Sequence, residues 1–218
     1  MGTFRLSRPT PAELHALFET VKGCPDASPR LLSLADGLIA RLPIGFAHDV
    51  SRSELGRGND AFARAREAMQ RWVEFDIGWL EAIDPTTPIA RGKVVGVLAN
   101  SAGLWSVHLS RITETIDTSV RFGFLYTTTA MHTEEGQERF VIEFDPKSGT
   151  VHYLLEAVSR PRHTLARLGY PFTRAMQHRF SRDSHARMRR AVSASEPPAA
   201  LPQFLHPGAD SRVDSKAV

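Results

Sequence analysis

The chain of 218 residues carries a single cysteine, Cys24. A lone thiol closes no internal disulfide, and without a cysteine pair no zinc site is suggested. Long apolar runs are missing as well: no stretch approaches the roughly 20 apolar residues that cross a bilayer. The amino-terminal run MGTFRLSRPTPAEL has no apolar h-region, and Arg5-Leu6 stand where a myristoylation signal carries Ser or Thr. A cytoplasmic protein is the expectation from these absences. No G-x-S-x-G, H-E-x-x-H, G-x-G-x-x-G or P-loop pattern occurs, so hydrolase, zincin and nucleotide-binding readings have no support. No cofactor and no bound metal is expected.

What is present is a globular composition, 42% apolar and 23% charged. The length suits one domain with a core plus appendages. The net charge is only +3, yet its distribution is uneven: Arg160 through Arg190 holds nine arginines and one acid, Asp183.

The order of elements follows from capping signals and periodicity. Thr10-Pro-Ala-Glu13 has the form of a capping box with proline in the first turn, predicting a helix to Lys22. Leu31 to Leu42 is apolar with helical spacing. Gly45–Glu54 reads as a strand. A helix capped near Asn59 or Asp60 follows, with Phe62, Ala65, Met69, Trp72 and Val73 on one stripe. Beyond Pro88 the pattern changes to strands at 93–99, 104–115, 121–132, 138–145 and 150–158, joined by short turn-forming loops such as Asp145-Pro-Lys-Ser-Gly149. Ser159 and Pro161 can start a last helix reaching Val192. The domain organisation expected is an N-terminal helical extension (1–42), an antiparallel sheet with a long helix (43–192) and a disordered tail (193–218).

Strand alternation sorts the hairpin Gly123–Phe144 into two faces. With its tip centred at Glu135-Gly136, Leu125, Thr127, Thr129 and Met131 share a face with Phe140, Ile142 and Phe144. The next strand adds Val151, Tyr153 and Leu155, and the preceding one Trp105, Val107, Leu109 and Arg111. The opposite face holds Tyr126, His132, Arg139, Glu143, His152 and Glu156, with Arg139 opposing Glu156 and Glu143 opposing His152, as on a solvated surface. His108 also falls outward. His132 with the tip glutamates forms no known metal-ligand spacing.

Several blocks resemble an uncharacterised family, the domain of unknown function numbered nineteen-ninety. Leu55-Gly56, Gly58, Phe62, Arg64-Ala65, Trp72, Phe75 and Gly78-Trp79 match one block. Gly123-Phe124, Tyr126, Thr128, His132, Gly136, Glu138 and Phe140 match a second, and Ser159-Arg160-Pro161 a third. The departures are Thr127 for glycine, Thr129 for leucine and Gln137 for the first of two glutamates. The element order also resembles the helix-grip fold of START-like and birch-pollen-allergen-like proteins. That resemblance implies an α+β fold, a curved antiparallel sheet packed on a long C-terminal helix around an apolar cavity.

On the last helix Leu165, Leu168, Phe172, Met176 and Phe180 form an apolar stripe. Arg167, Arg174, His178, Arg182, His185 and Arg189 fall opposite it. Arg179 lies near the stripe, and Arg111 on the sheet's apolar face. A buried guanidinium requires a partner, either an internal acid such as Asp183 or a ligand anion. The candidate ligand-binding residues are therefore Arg111, Arg179, Tyr153, Thr127, Thr129, Trp105, Phe140 and Ile142. The expected function is binding of a small apolar or amphiphilic ligand, with an anionic or polar head, between sheet and helix. An enzyme using the same cavity is the alternative, and it needs a histidine or glutamate facing inward. A third reading places an anionic partner on the arginine face. Nucleic acid is disfavoured there, because no aromatic residues interleave with the arginines.

Overall fold

The structure, a computed structural model, describes residues 4–38, 41–132, 134–162 and 170–193. Its elements are β1 (Phe4–Arg5), α1 (Pro11–Lys22), β2 (Leu32–Ser33), β3 (Gly37–Leu38), β4 (Ala47–Arg57), α2 (Gly58–Gln70), a 3-10 turn (Val73–Phe75), β5 (Leu80–Ala82), β6 (Val94–Ser101), β7 (Leu104–Asp117), β8 (Arg121–Thr128), β9 (Glu134–Asp145), β10 (Thr150–Pro161) and α3 (Tyr170–Ser193). One antiparallel sheet runs β4-β10-β9-β8-β7-β6-β5, with β1 added beside β7. The sheet is curled, and α2 and α3 lie on its inner face, which is the helix-grip arrangement.

Local chemistry explains most of these elements. Thr10 accepts the Glu13 amide while the Glu13 side chain accepts the Thr10 amide, closing the capping box that starts α1. The α2 stripe is buried as its spacing requires: Ala65, Met69 and Trp72 are almost inaccessible, and they meet Phe124, Phe140 and Ile142 from the sheet. Rings in this core pack at short range, Phe124 with Phe140 at 4.9 Å and Trp72 with Phe124 at 5.0 Å. The β9–β10 turn is held by Asp145, whose carboxylate accepts the Lys147 amide and whose carbonyl accepts the Gly149 amide.

Two expectations about elements fail for tertiary reasons. Residues 31–38 form no helix. They make the short hairpin β2–β3, which straps across the outer face of the sheet. The Leu31 and Leu32 amides donate to Gln137 Oε1 at 2.6 and 2.9 Å, and the Leu34 amide donates to Glu114 Oε2 at 3.0 Å. Leu31, Leu32 and Leu34 bury against Leu125, Val141, Leu154 and Val158. These partners outweigh an apolar spacing that fits a helix equally well. Secondly, Ser159 caps nothing: β10 continues through it, and Ser159 pairs with Gly136. The last helix is described from Tyr170 onward. Leu165, Arg167 and Leu168 lie outside the described residues, as does the tail after Ser193.

The outer face is solvated only in part. Arg139 and Glu156 do oppose each other, and so do Glu143 and His152. The strap covers the first pair, however. Arg139 ion-pairs with Glu156 and also donates to the Ser33 carbonyl, while Glu156 is 3% exposed. Further along, Phe18 of α1 packs over Gly96, where a Cβ would lie 2.5 Å from the ring. The segment before β4 therefore serves as the sheet's outer cover, while α2 and α3 form its inner one.

Candidate functional site

The β8–β9 register decides what the inner face contains. Phe124 pairs with Phe140 and Tyr126 with Glu138. The hairpin axis therefore falls near His132 rather than between Glu135 and Gly136. Strand β8 ends at Thr128, and the turn is closed by the His132 amide donating to the Thr129 carbonyl at 3.0 Å. An odd change of register turns every side chain of a strand over. Phe122, Phe124 and Tyr126 thus join Phe140 and Ile142 inside, while Leu125 and Thr127 face the strap. The flip carries through to β7, where Ile112 pairs with Tyr126, so Ser106, His108 and Ser110 point inward.

The result is a cavity of about 250 Å³ between β6–β9 and α3. Its apolar wall includes Phe75, Trp79, Val97, Met176 and Phe180, and Leu104 and Phe172 stand partly exposed at its edge. One polar patch interrupts this wall: Glu134 and Glu138 from β9, His132 from the preceding turn, His108 from β7, Tyr126 from β8 and Gln177 from α3. Tyr126 Oη donates to Glu138 Oε2 at 2.8 Å. Gln177 Nε2 donates to both oxygens of Glu134 at 3.0 Å and to Ser159 Oγ at 3.0 Å. The Glu134 amide donates to His132 Nδ1 at 3.0 Å, which places the His132 proton on Nε2. His108 Nε2 lies 2.9 Å from Ser106 Oγ, and the two imidazole rings sit 4.9 Å apart.

Burial governs the charge of these groups. It pushes the Glu138 carboxyl up to about 7, against the opposing hydrogen bond from Tyr126. Burial first, and repulsion from Glu138 second, push Glu134 to about 7. Both histidines are held neutral by burial: His108 falls to about 4, and His132 is lowered further by the neighbouring His108. Among the described residues no cluster of three or more His, Cys, Asp or Glu could hold a metal ion.

The ligand residues expected from sequence are placed elsewhere or in other roles. Arg111 lies on the outer face, where Nε meets Asp26 Oδ1 at 3.0 Å and Nη2 donates to the Cys24 and Val21 carbonyls. Thr127 Oγ1 accepts from Gln137 at 2.8 Å, and Thr129 Oγ1 donates to the Leu109 carbonyl at 2.8 Å, both on the strap side. Trp105 carries the Arg8 guanidinium 5.3 Å from its ring, also outside. Phe140 and Ile142 are core residues of the inner face. Tyr153 is buried behind them, with its hydroxyl 3.0 Å from Ser184 Oγ. Arg179 stacks 4.7 Å over Trp79 and reaches Asp183 at 3.4 Å. The internal partners weighed against a ligand anion are the ones present.

Alternation with the wrong phase sets Tyr126, His108 and His132 outside, and a tip centred at Glu135-Gly136 leaves Glu134 and Glu138 in the turn; the β8–β9 register brings them into the cavity instead. One signal could have found them: Tyr126, His132 and Glu138 all stand in the second family block. Gln137, the departure from the paired glutamate, faces the strap and leaves the cavity unchanged. On α3 the expected outward stripe also fails in part. His185 is buried, with Nδ1 2.7 Å from Ser53 Oγ and Nε2 2.8 Å from Ser51 Oγ. Arg174 pairs with Asp49 and Arg187 with Asp76, which leaves less unmatched positive charge than the arginine count suggests.

Comparison with known proteins follows the same outline. A UPF0548 protein of Dictyostelium discoideum is 36% identical over 162 residues, spanning 69% of this chain and 75% of the relative. A UPF0548 protein of Deinococcus radiodurans is 30% identical over 200 residues, spanning 85% of this chain and 96% of its own. Among solved structures, Ara h 8.0201 aligns with 66% of this chain and 98% of its own, at 13% identity and a TM-score of 0.42. The Zhui aromatase/cyclase from Streptomyces sp. R1128 aligns with 68% of this chain and 94% of its own, at 12% identity and a TM-score of 0.48. A family model described as a domain of unknown function, DUF1990, matches residues 34–187, and the chain belongs to that family.

Proposed function

We propose that the protein binds a small, mostly apolar molecule in the cavity between sheet and α3, with the molecule's polar end against the Glu134–Glu138–His132 patch. The observation that carries this reading is the cavity itself: an apolar hollow with its polar groups gathered at one place, the arrangement that orients a small ligand. An anionic head finds no support, because Arg111 lies outside and Arg179 is engaged with Trp79 and Asp183. The test is a backbone-amide NMR titration with small apolar alcohols and amines. Shifts should concentrate at Val97, Tyr126, Glu138 and Met176. Filling the hollow with Ala99→Leu should weaken binding at least fivefold, whereas unchanged affinity in that variant would count against the reading.

A second reading, an enzyme acting on a small hydrophobic substrate in the same cavity, is favoured by one arrangement. Glu138 Oε1 receives no hydrogen bond among the described residues, and His132 holds its proton on Nε2. A carboxylate base and a neutral donor thus border one cavity, and a carboxyl near 7 is suited to proton transfer at neutral pH. Proton exchange into apolar ketones in deuterated water, lost in Glu138→Gln, is the expected outcome.

A further inference from the structure

We propose that the polar end of the cavity receives the protonated amine of a small apolar molecule, with Glu138 Oε1 as its chief acceptor and Glu134 beside it. The inference rests on the binding reading above and names the ligand's chemistry. Three observations converge on it. Among the described residues no lysine or arginine lines the cavity, whereas two glutamates do. The nearest cations are committed: Arg174 to Asp49, with Nη2 to Oδ1 at 2.6 Å, and Arg162 to the Thr129 and Ala130 carbonyls. Thirdly, among the described residues Glu138 lines the cavity with one oxygen that has no protein donor, while both Glu134 oxygens take only the uncharged Gln177 amide.

Two carboxylates drawn partly out of water repel each other and lose hydration, and the one cation acting on them, Arg174, is shared with Asp49. A cation entering between them relieves both penalties, and an anion adds a third like charge. The walls suit the apolar body of the same guest, since Phe75, Trp79, Tyr126 and Phe180 line the hollow. The raised pKa values of Glu134 and Glu138 agree with the geometry: burial dominates at both, Arg174 offsets it only in part at Glu134, and no cation offsets it at Glu138.

A pH signature follows. The titratable and charged groups around the two glutamates are Tyr126 on β8, His108 on β7, His132 in the turn, Asp49 on β4, Arg174 on α3 and Arg162 beyond β10, with Glu74 in the 3-10 turn behind Tyr126. His108 and His132 are neutral at pH 6 and above, and Asp49, lowered first by its hydrogen bond from Arg174, is ionised there. Glu74 is raised to about 8 but does not line the cavity. The glutamates titrate near 7, so the ionised fraction of one of them rises about tenfold from pH 6 to pH 8.

The experiment compares three isosteric probes, cyclohexylmethylamine, cyclohexylmethanol and cyclohexanecarboxylate, by NMR titration of the full chain at pH 6 and pH 8. At pH 8 the amine should bind at least tenfold tighter than the alcohol, and it should lose about tenfold at pH 6. The carboxylate should not shift the cavity resonances. Glu138→Gln should remove the amine's advantage yet keep alcohol binding, which shows that the variant is folded. Equal affinity of amine and alcohol at pH 8, or no pH effect on the amine, overturns the amine assignment and leaves the binding reading standing. If none of the three probes moves the cavity resonances, both are overturned.

Discussion

At the scale of single residues, buried charge is the dominant feature. Glu74 is inaccessible, neither of its carboxylate oxygens has a hydrogen-bond partner among the described residues, and burial pushes it up to about 8. A carboxyl raised in the folded state favours folding while it is protonated. Its contribution is lost as pH climbs from the unfolded value near 4.5 through about 8. Glu74→Gln removes the ionisation and keeps the shape. It should leave the melting temperature unchanged at pH 5 and raise stability at pH 8.5 by on the order of 1–2 kcal/mol, read by thermal melts at the two pH values. No difference between the two would place Glu74 in contact with water.

Elements are limited by how closely their backbones approach. Gly123 in β8 has room for no side chain, since a Cβ there would lie 2.2 Å from the Phe140 carbonyl oxygen, and backbone cannot step aside. Gly123→Ala should cost at least about 2 kcal/mol, measured by chemical denaturation. Among the attachments of the strap, one side-chain amide takes two backbone groups at once. Gln137 Oε1 accepts from both Leu31 and Leu32, so Gln137→Ala strands two buried N–H groups. A loss of about 1–3 kcal/mol is expected, with faster hydrogen exchange at the Leu31 and Leu32 amides than at the centre of β9. Here the limit of sequence reading is physical. The apolar spacing of 31–42 is satisfied by a helix or by a chain laid on a sheet, and only the acceptors on β7 and β9 decide between them. By contrast Thr10 and Glu13 carry their own partners three residues apart, so α1 is legible without any tertiary knowledge.

For the whole molecule, the buried groups combine into a stability profile. His108 and His185, both lowered to about 4, favour folding above the unfolded value near 6.5, and that contribution is lost as pH falls toward 4. Glu74, Glu134 and Glu138 act oppositely, costing stability as pH rises from 4.5 through 7 to 8. The two trends offset one another between about 4.5 and 6.5, and above that the glutamates alone of these five groups titrate. Melting temperature should therefore fall between pH 6.5 and 8.5. A cationic cavity ligand should reduce the fall, because it binds the ionised form. A melting temperature that rises over that interval would show the glutamates to be hydrated.

The sequence by itself determined the capped first helix, the α2 stripe, the five-strand meander and the opposition of Arg139 to Glu156, because each depends on neighbours in the chain. Alternation along β8 was equally local, but its phase was not. Whether Tyr126 or Leu125 looks inward depends on where the turn before Glu134 closes, and an odd shift there exchanges the two faces. Tertiary structure alone decided that, and with it which carboxyls and imidazoles share the cavity and which arginines meet carbonyls on the far side. A period of two specifies that faces alternate. Which face is buried is settled only when helices cover one side and the strap the other.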